Sequence, residues 1–495
     1  MMRKDWETVK LGEFAAHEKG KKPKNQKTEQ DEVFKFPYIN IEAFEKGIIE
    51  TYTDGEKCRF CFEDDFLMVW DGSRSGLVGK GMNGALGSTL VRINLPSIEN
   101  NYAYHFLSSK YLEINTRAKG SGTPHVDPYL LWNYDFSICS HPEQRAIVAK
   151  IEELFSDLDK GIADLKKAQD QLKVYRQAVL KKAFEGELTK EWREQQQDLP
   201  TADELLEQIK EERQKHYEQQ LENWKQAVNA WEENDKEGKK PGKPKAIKSV
   251  EQFTRTEIKS MDELPNKWNW VRLGNVFQVF VGSTPSRSKT EYWENGKINW
   301  VSSGEVTFSS IFETREKITN EGLNNASTTI HPVGTVMLAM IGEGKTRGQA
   351  GILEIEACHN QNTAAIRVSE IGFLPKFLFH YLFLKYERNR SVGSGNNQKA
   401  LNQGRIMDFD YPLCSVEEQH QIIQEIESRL SVCEKVEESI IESLEKAKAL
   451  RQSVLKKAFE GTLLSKEEIA ACKAAPDYEP ASILLEKIKA EKKKK

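Results

Sequence analysis

The sequence predicts a mixed α/β (α+β) chain: two globular domains separated by two long helices that form an antiparallel coiled coil, related by an internal pseudo-two-fold repeat. Three observations carry this. The segment RQAVLKKAFEG at 176–186 recurs as RQSVLKKAFEG at 451–461, an offset of 275. At that offset about fifty residues align without a gap, pairing Leu180 with Leu455, Ile151 with Ile426, Ile147 with Ile422, Gln144 with Gln419, Cys139 with Cys414 and Asp135 with Asp410. The segments before the helices agree in length and ends while their interiors differ: His105, Leu107, Lys110 and Tyr111 match His380, Leu382, Lys385 and Tyr386, and Trp6, Val9, Leu11 and Gly12 match Trp268, Val271, Leu273 and Gly274.

Residues 1–139 form the first domain. Short apolar runs such as FLMVW at 66–70, punctuated by Gly and Pro, read as strands, and a helix is expected near 102–115. Residues 140–187 are the first long helix. Ile147, Ile151, Phe155, Leu158, Leu165, Leu172 and Val179 recur at threes, fours and sevens. Ser140 with Glu143 forms a capping box, and Gly186 suits the left-handed position after the last turn. At about 1.5 Å per residue the rod runs roughly 65–70 Å and needs a partner. The equal second copy supplies it. Residues 188–263 open with another capped helix at Thr201 and Glu204, striped by Leu205, Ile209, Tyr217, Leu221, Trp224, Val228 and Trp231. They end in a Lys/Gly/Pro run at 236–248 that reads as a solvated linker. Residues 264–414 repeat the first domain, with a strand in VGTVMLAM at 333–340 and a helix near 374–388. Residues 415–463 repeat the long helix, capped by Ser415 with Glu418 and ended by Gly461, and 464–495 form a helical tail whose LLEKIKAE echoes LLEQIKEE at 205–212.

Composition excludes several classes. In 495 residues, 72 Lys and Arg stand against 76 Asp and Glu, a net charge of −4, so any nucleic-acid surface must be local or shared. No window approaches the roughly 18 apolar residues of a membrane span. The polar start MMRKDWETVK lacks a secretory apolar region, and seven cysteines, an odd number, do not read as a disulfide framework; a cytoplasmic protein is expected.

Catalytic signatures fail one by one. No Pro-Pro occurs, so the Asn/Asp-Pro-Pro-aromatic element of an amino-methyltransferase is missing. Gly344-Lys345-Thr346 is preceded at the P-loop glycine position by Ala339. Cys58 and Cys61 form a lone CxxC where structural zinc wants four ligands, so no metal is expected. His105 and His380 lie amid apolar residues and read as packed side chains. Trp224 and Trp231 could be base-stacking platforms, but their helical spacing favours packing.

The chain resembles the specificity subunit of type I restriction–modification systems. The resemblance rests on PEQRAIVAKIEELF at 142–155, the AFEG helix ends at 183–186 and 458–461, TKEWR at 189–193 and the LLEKIKAE tail, with GSTP at 282–285, WVSSGEV at 300–306 and DGSRSGLVG at 71–79 resembling the family's recognition domains. It departs from the family's proline-rich entry into the helices, where only Ser140-His141-Pro142 and Pro412 remain. The resemblance implies a non-catalytic subunit whose two target recognition domains, 1–139 and 264–414, each read half of a split DNA target on double-stranded DNA. Two modification subunits would bind S-adenosylmethionine and methylate adenine N6; restriction subunits would add ATP- and Mg-dependent translocation and cleavage. No cofactor is expected in this chain itself.

DNA contact then points to Gly-rich loops carrying cations, because small residues let amides approach phosphates and long cationic side chains reach phosphate or guanine edges. These are Arg74 and Lys80 in DGSRSGLVGKG, Lys119 before GSGTP, Lys345 and Arg347 in GEGKTRG, and Lys399 and Arg405 after the second GSG. Two rivals stand beside this reading: a coiled-coil scaffold joining two protein-binding adaptor domains, which a salt-dependent shift on duplex DNA would exclude, and a fused enzyme, against which the missing motifs speak.

Overall fold

The computed structural model describes residues 3–120, 122–234, 236–237, 240–244, 249–342, 344–368, 372–391 and 400–494. It divides into two compact units, Met1–Ala168 with Ser439–Lys495, and Gln169–Glu438. Each unit takes the beginning of one long helix and the end of the other.

In the first unit, strand Glu7–Lys10 pairs antiparallel with Asp135–Ile138, Val9 opposite Phe136, and this ribbon leads into the first long helix. A four-stranded sheet runs in the order Ala16–Lys19, Leu90–Asn94, Phe66–Val69, Val78–Lys80, and a five-stranded sheet of shorter strands contains Phe36–Ile39 and Gly84–Leu86. All four residues of Phe66–Val69 are buried. Because strand side chains alternate, Phe66 and Met68 enter a core with Tyr102, Phe106 and Phe136, while Leu67 and Val69 enter a second with Ile39, Leu86 and Leu90. The second unit repeats this. Asn269–Arg272 pairs with Asp410–Leu413, Val271 opposite Tyr411. In a five-stranded sheet, Val336 and Leu338 of the central strand Val336–Ala339 face the main core, while Met337 and Ala339 face a smaller one. The expected domain helices form and break at matched lysines: Asn100–Ser109 and Tyr111–Thr116 flank Lys110, Pro375–Leu384 and Tyr386–Ser391 flank Lys385.

The long helices are His141–Phe184 and Val416–Phe459, 44 residues each. Glu143 N–H donates to Ser140 Oγ and Ser140 N–H to the Glu143 carboxylate, both at 3.4 Å, which completes the first capping box. At the second helix Glu418 N–H donates to Ser415 Oγ at 3.2 Å, but the Glu418 carboxylate turns to Trp268, Arg193 and Thr189. Gly186 and Gly461 end them at φ 72° and 75°. Within each unit the helices pair antiparallel. Arg451 is ion-paired with Asp159 and stacks over Phe155 in the first; Arg176 meets Glu437 at 2.8 Å in the second. Ile147, Ile151, Val179, Ile422, Ile426 and Val454 are buried where a domain also covers them. Toward the middle, one partner helix covers only one side, and Val174 and Val432 are left 70% and 59% exposed.

Each domain is closed by the helix end of the other repeat. Phe459 packs on Tyr102 and Phe106 at 5.2 and 5.3 Å between ring centroids, and Ser137 Oγ donates to its carbonyl at 3.0 Å. Phe184 packs on Phe377 and Tyr381 at 5.0 and 5.2 Å. The matched, fully buried Gln144 and Gln419 tie domain to helix start. Their amides donate to the Cys139 and Cys414 carbonyls, and their oxygens accept from the Glu99 and Leu374 amides. The tail belongs to the repeat as expected: Ala481, Leu484 and Ile488 enter the first core as Ala202, Leu205 and Ile209 enter the second.

The segment after Glu233 departs from a purely solvated linker. Trp224 Nε1 donates to the Pro241 carbonyl at 3.0 Å, and Lys243 and Lys240 lie over the Trp224 and Trp231 rings. Among the described residues, Lys240, Pro241 and Lys243 thus lie against the outer half of the tryptophan stripe on helix Ala202–Glu233. Among the described residues, no helix is long and apolar enough to cross a membrane.

Candidate nucleic-acid interface

The first basic loop joins Phe66–Val69 to Val78–Lys80, in a hairpin with Phe66 opposite Lys80. It turns through Gly72 and Gly76 at φ 122° and 91°, values that favour glycine. Gly72 N–H donates to the Pro124 carbonyl at 2.7 Å, Asp71 bridges His125, and His125 bridges Lys119. The fold therefore gathers Arg74 and Lys119, far apart in sequence, onto adjoining segments. Arg74 is ion-paired with Glu45, and Lys119 with Asp127 at 2.9 Å; both cations stay more than half exposed. Arg74 and Lys80, with Lys46, rim a groove of about 640 Å³ walled by Phe44, Leu77 and Met82. Cationic rims over an apolar floor suit phosphate oxygens and base edges together.

The second domain builds its loop on the equivalent strand. Gly348 N–H donates to Ala339 O at 2.8 Å as Gly76 N–H does to Val69 O at 2.7 Å, and Leu401 N–H meets Met340 O as Val126 N–H meets Trp70 O, both at 2.9 Å. Asn402 caps Gln403–Met407 through the Arg405 amide, the counterpart of Asp127 capping Pro128–Trp132. Lys345 is exposed and Arg405 half-buried. Arg347 is only 8% exposed, so it is no freely presented cation. Lys399 falls outside the described residues.

Of the histidines and cysteines singled out in the sequence, His105 and Cys61 are buried and His380 and Cys58 are half-buried. Burial pushes the His105 and His380 imidazoles down to about 4, with the Lys80 charge adding to the effect on His105. The Cys58 thiol donates to Glu56 O and the Cys61 thiol to Gly84 O, and burial raises Cys61 to about 12. Sequence reasoning missed Glu45, Asn115, Tyr386 and Arg390. Glu45 was unreadable, its pairing with Arg74 being tertiary. Arg390 stands at the repeat offset from Asn115, a correspondence available once Tyr111 is aligned with Tyr386.

A family model described as the type I restriction modification DNA specificity domain matches residues 3–167 and 265–446, more than half of the chain. The chain is 24% identical over 461 residues to the type I restriction enzyme MjaVIII specificity subunit of Methanocaldococcus jannaschii, covering 90% of each. It is 23% identical over 503 residues to the EcoDI specificity subunit of Escherichia coli, covering 99% of this chain and 95% of that one. Its fold is similar to that of a chain from a study of complex assembly and conformational transition of the type I R-M system, with TM-score 0.64, 16% identity, and 94% and 100% coverage. The HsdS subunit from Thermoanaerobacter tengcongensis gives TM-score 0.51 and 17% identity, with 93% and 98% coverage. With two matched domains, one at each globular segment, the chain belongs to the type I restriction–modification DNA specificity family.

Proposed function

We propose that this specificity subunit reads a bipartite duplex target, one half through each domain, and directs adenine-N6 methylation by partner subunits without catalysing it. The observation that carries the reading is the duplicated basic loop: one strand–turn frame, built twice, bearing Arg74 with Lys80 in one copy and Lys345 in the other. A repeated frame with different side chains is what two readers of different sequences need. The partners are two modification subunits that hold S-adenosylmethionine, and restriction subunits that would add ATP- and Mg-dependent cleavage. The chain works in the cytoplasm, beside the DNA it reads.

Methylome sequencing of the host with and without this gene tests the reading. A split motif should vanish with the gene, and the purified chain alone should transfer no methyl group and hydrolyse no ATP. Binding of the complex to its motif should weaken steeply with salt, since phosphate contacts release counterions. An unchanged methylome, or S-adenosylmethionine turnover by the pure chain, would falsify it.

A further inference from the structure

The two basic loops are mounted on the same helix position by different side chains. Asn115 Nδ2 donates to the Ser73 and Ser75 carbonyls, both at 3.0 Å, on either side of Arg74. At the repeat-equivalent position, Arg390 Nη2 donates to the Gly344 carbonyl, and the neighbouring Tyr386 hydroxyl donates to that of Lys345. Arg390 Nη1 also donates to the Tyr386 hydroxyl at 2.7 Å. The loops touch this helix at matched glycines. A Cβ on Gly76 would lie 2.5 Å from Ile114 Cγ2, and one on Gly348 would lie 3.3 Å from Arg390 Cβ and 3.4 Å from Tyr386 Cδ2.

Loop carbonyls without a protein partner turn to water, and the cation between them then samples many directions. Clamping those carbonyls to a helix fixes the backbone on which the cation stands before DNA arrives, so less ordering cost falls on binding. The clamp sits at one place in the frame yet is Asn in one domain and Arg with Tyr in the other, so it varies together with the loop it holds. We propose that Asn115 and Arg390 are equivalent positioning residues, each fixing the basic loop of its own domain and thereby the base preference of its own half of the target. This rests on the DNA reading given above.

The test uses the full chain assembled with its methyltransferase partners, on duplexes carrying the native motif or a single-base change in either half. Asn115→Asp keeps the side-chain shape but sets an acceptor against two carbonyls; Arg390→Ala removes the bond to the Gly344 carbonyl and the one that orients the Tyr386 hydroxyl. Asn115→Asp should lower discrimination in one half about tenfold, as expected for two lost hydrogen bonds, and leave the other half unchanged. Arg390→Ala should do the reverse. Asn115→Ser, with the same expectation, serves if the aspartate variant does not accumulate. Native discrimination in both halves, or one variant relaxing both, overturns the proposal while leaving the DNA reading intact. Absence of any sequence preference in the unmodified complex would sink the DNA reading, and this proposal with it.

Discussion

Glu418 joins a helix cap to a domain, and its removal should be among the most costly single changes in the second unit. Its carboxylate, 2% exposed, accepts from Trp268 Nε1 at 2.7 Å, Arg193 Nε at 2.7 Å and Thr189 Oγ1 at 2.8 Å. Glu418→Ala leaves a largely buried guanidinium without its carboxylate and a buried indole N–H without its acceptor. Removing one partner of such a pair costs on the order of 3–5 kcal/mol, against about 1–2 for Glu418→Gln, which keeps an acceptor oxygen. The first unit supplies an internal control. There the arginine comes from the other side of the sequence: Arg3 meets Glu143 at 2.7 Å and stacks over Trp6, but it is also held by Asp5 at 2.6 Å. Trp6 Nε1, the counterpart of the indole that Glu418 accepts from, has no hydrogen-bond partner among the described residues. Glu143 also accepts three bonds, but two of them are the longer ones from Ser140 Oγ and N–H at 3.1 and 3.4 Å, and its arginine keeps Asp5, so Glu143→Ala should cost about 1–2 kcal/mol. Urea titration followed by tryptophan fluorescence measures both. A Glu418→Ala loss below about 1 kcal/mol, or one no larger than that of Glu143→Ala, would refute this account of the cluster.

Further outcomes follow from other contacts. Gly186→Ala should destabilise more than Gly461→Ala: both have positive φ, but the new Cβ would sit 2.3 Å from Pro265 Cγ in one and 3.0 Å from the flexible Arg3 side chain in the other, and equal melting shifts would contradict this. Burial holds His105 and His359 down to about 4, below the unfolded value near 6.5, so the unfolded chain binds more protons in that window. Stability is then full above pH 6.5 and falls by about 1.4 kcal/mol per histidine per pH unit toward pH 4; urea midpoints across that range should decline, and less steeply in His359→Asn. Lys345→Ala should weaken DNA binding by about 1–3 kcal/mol if the residue reads a base, or mainly reduce the salt slope if it meets phosphate; unchanged affinity assigns it to solvent. Exchanging residues 1–139 for those of a relative should alter one half of the methylated motif, and motif sequencing showing both halves altered would contradict modular reading.

Local chemistry made much of this architecture legible in the sequence. Ser140 with Glu143, Ser415 with Glu418, Gly186 and Gly461 mark the long helices because capping and left-handed termination involve only neighbouring residues. The four-residue strands at 66–69 and 336–339 declare themselves as short apolar runs, and the 275-residue offset exposes the duplicated frame. Tertiary structure alone decided what meets across long separations. Phe459 closes the first domain and Phe184 the second, Arg3 stands in for the role Arg193 plays, and Glu45 holds Arg74. Arg347 is buried while Lys345 stays exposed, although both are cations two residues apart in one glycine-rich run. Periodicity, capping and turn preference act over a few residues along the chain. Which side chain shields another, and which carbonyl an Asn115 or an Arg390 reaches, depends on segments that only the folded core brings together.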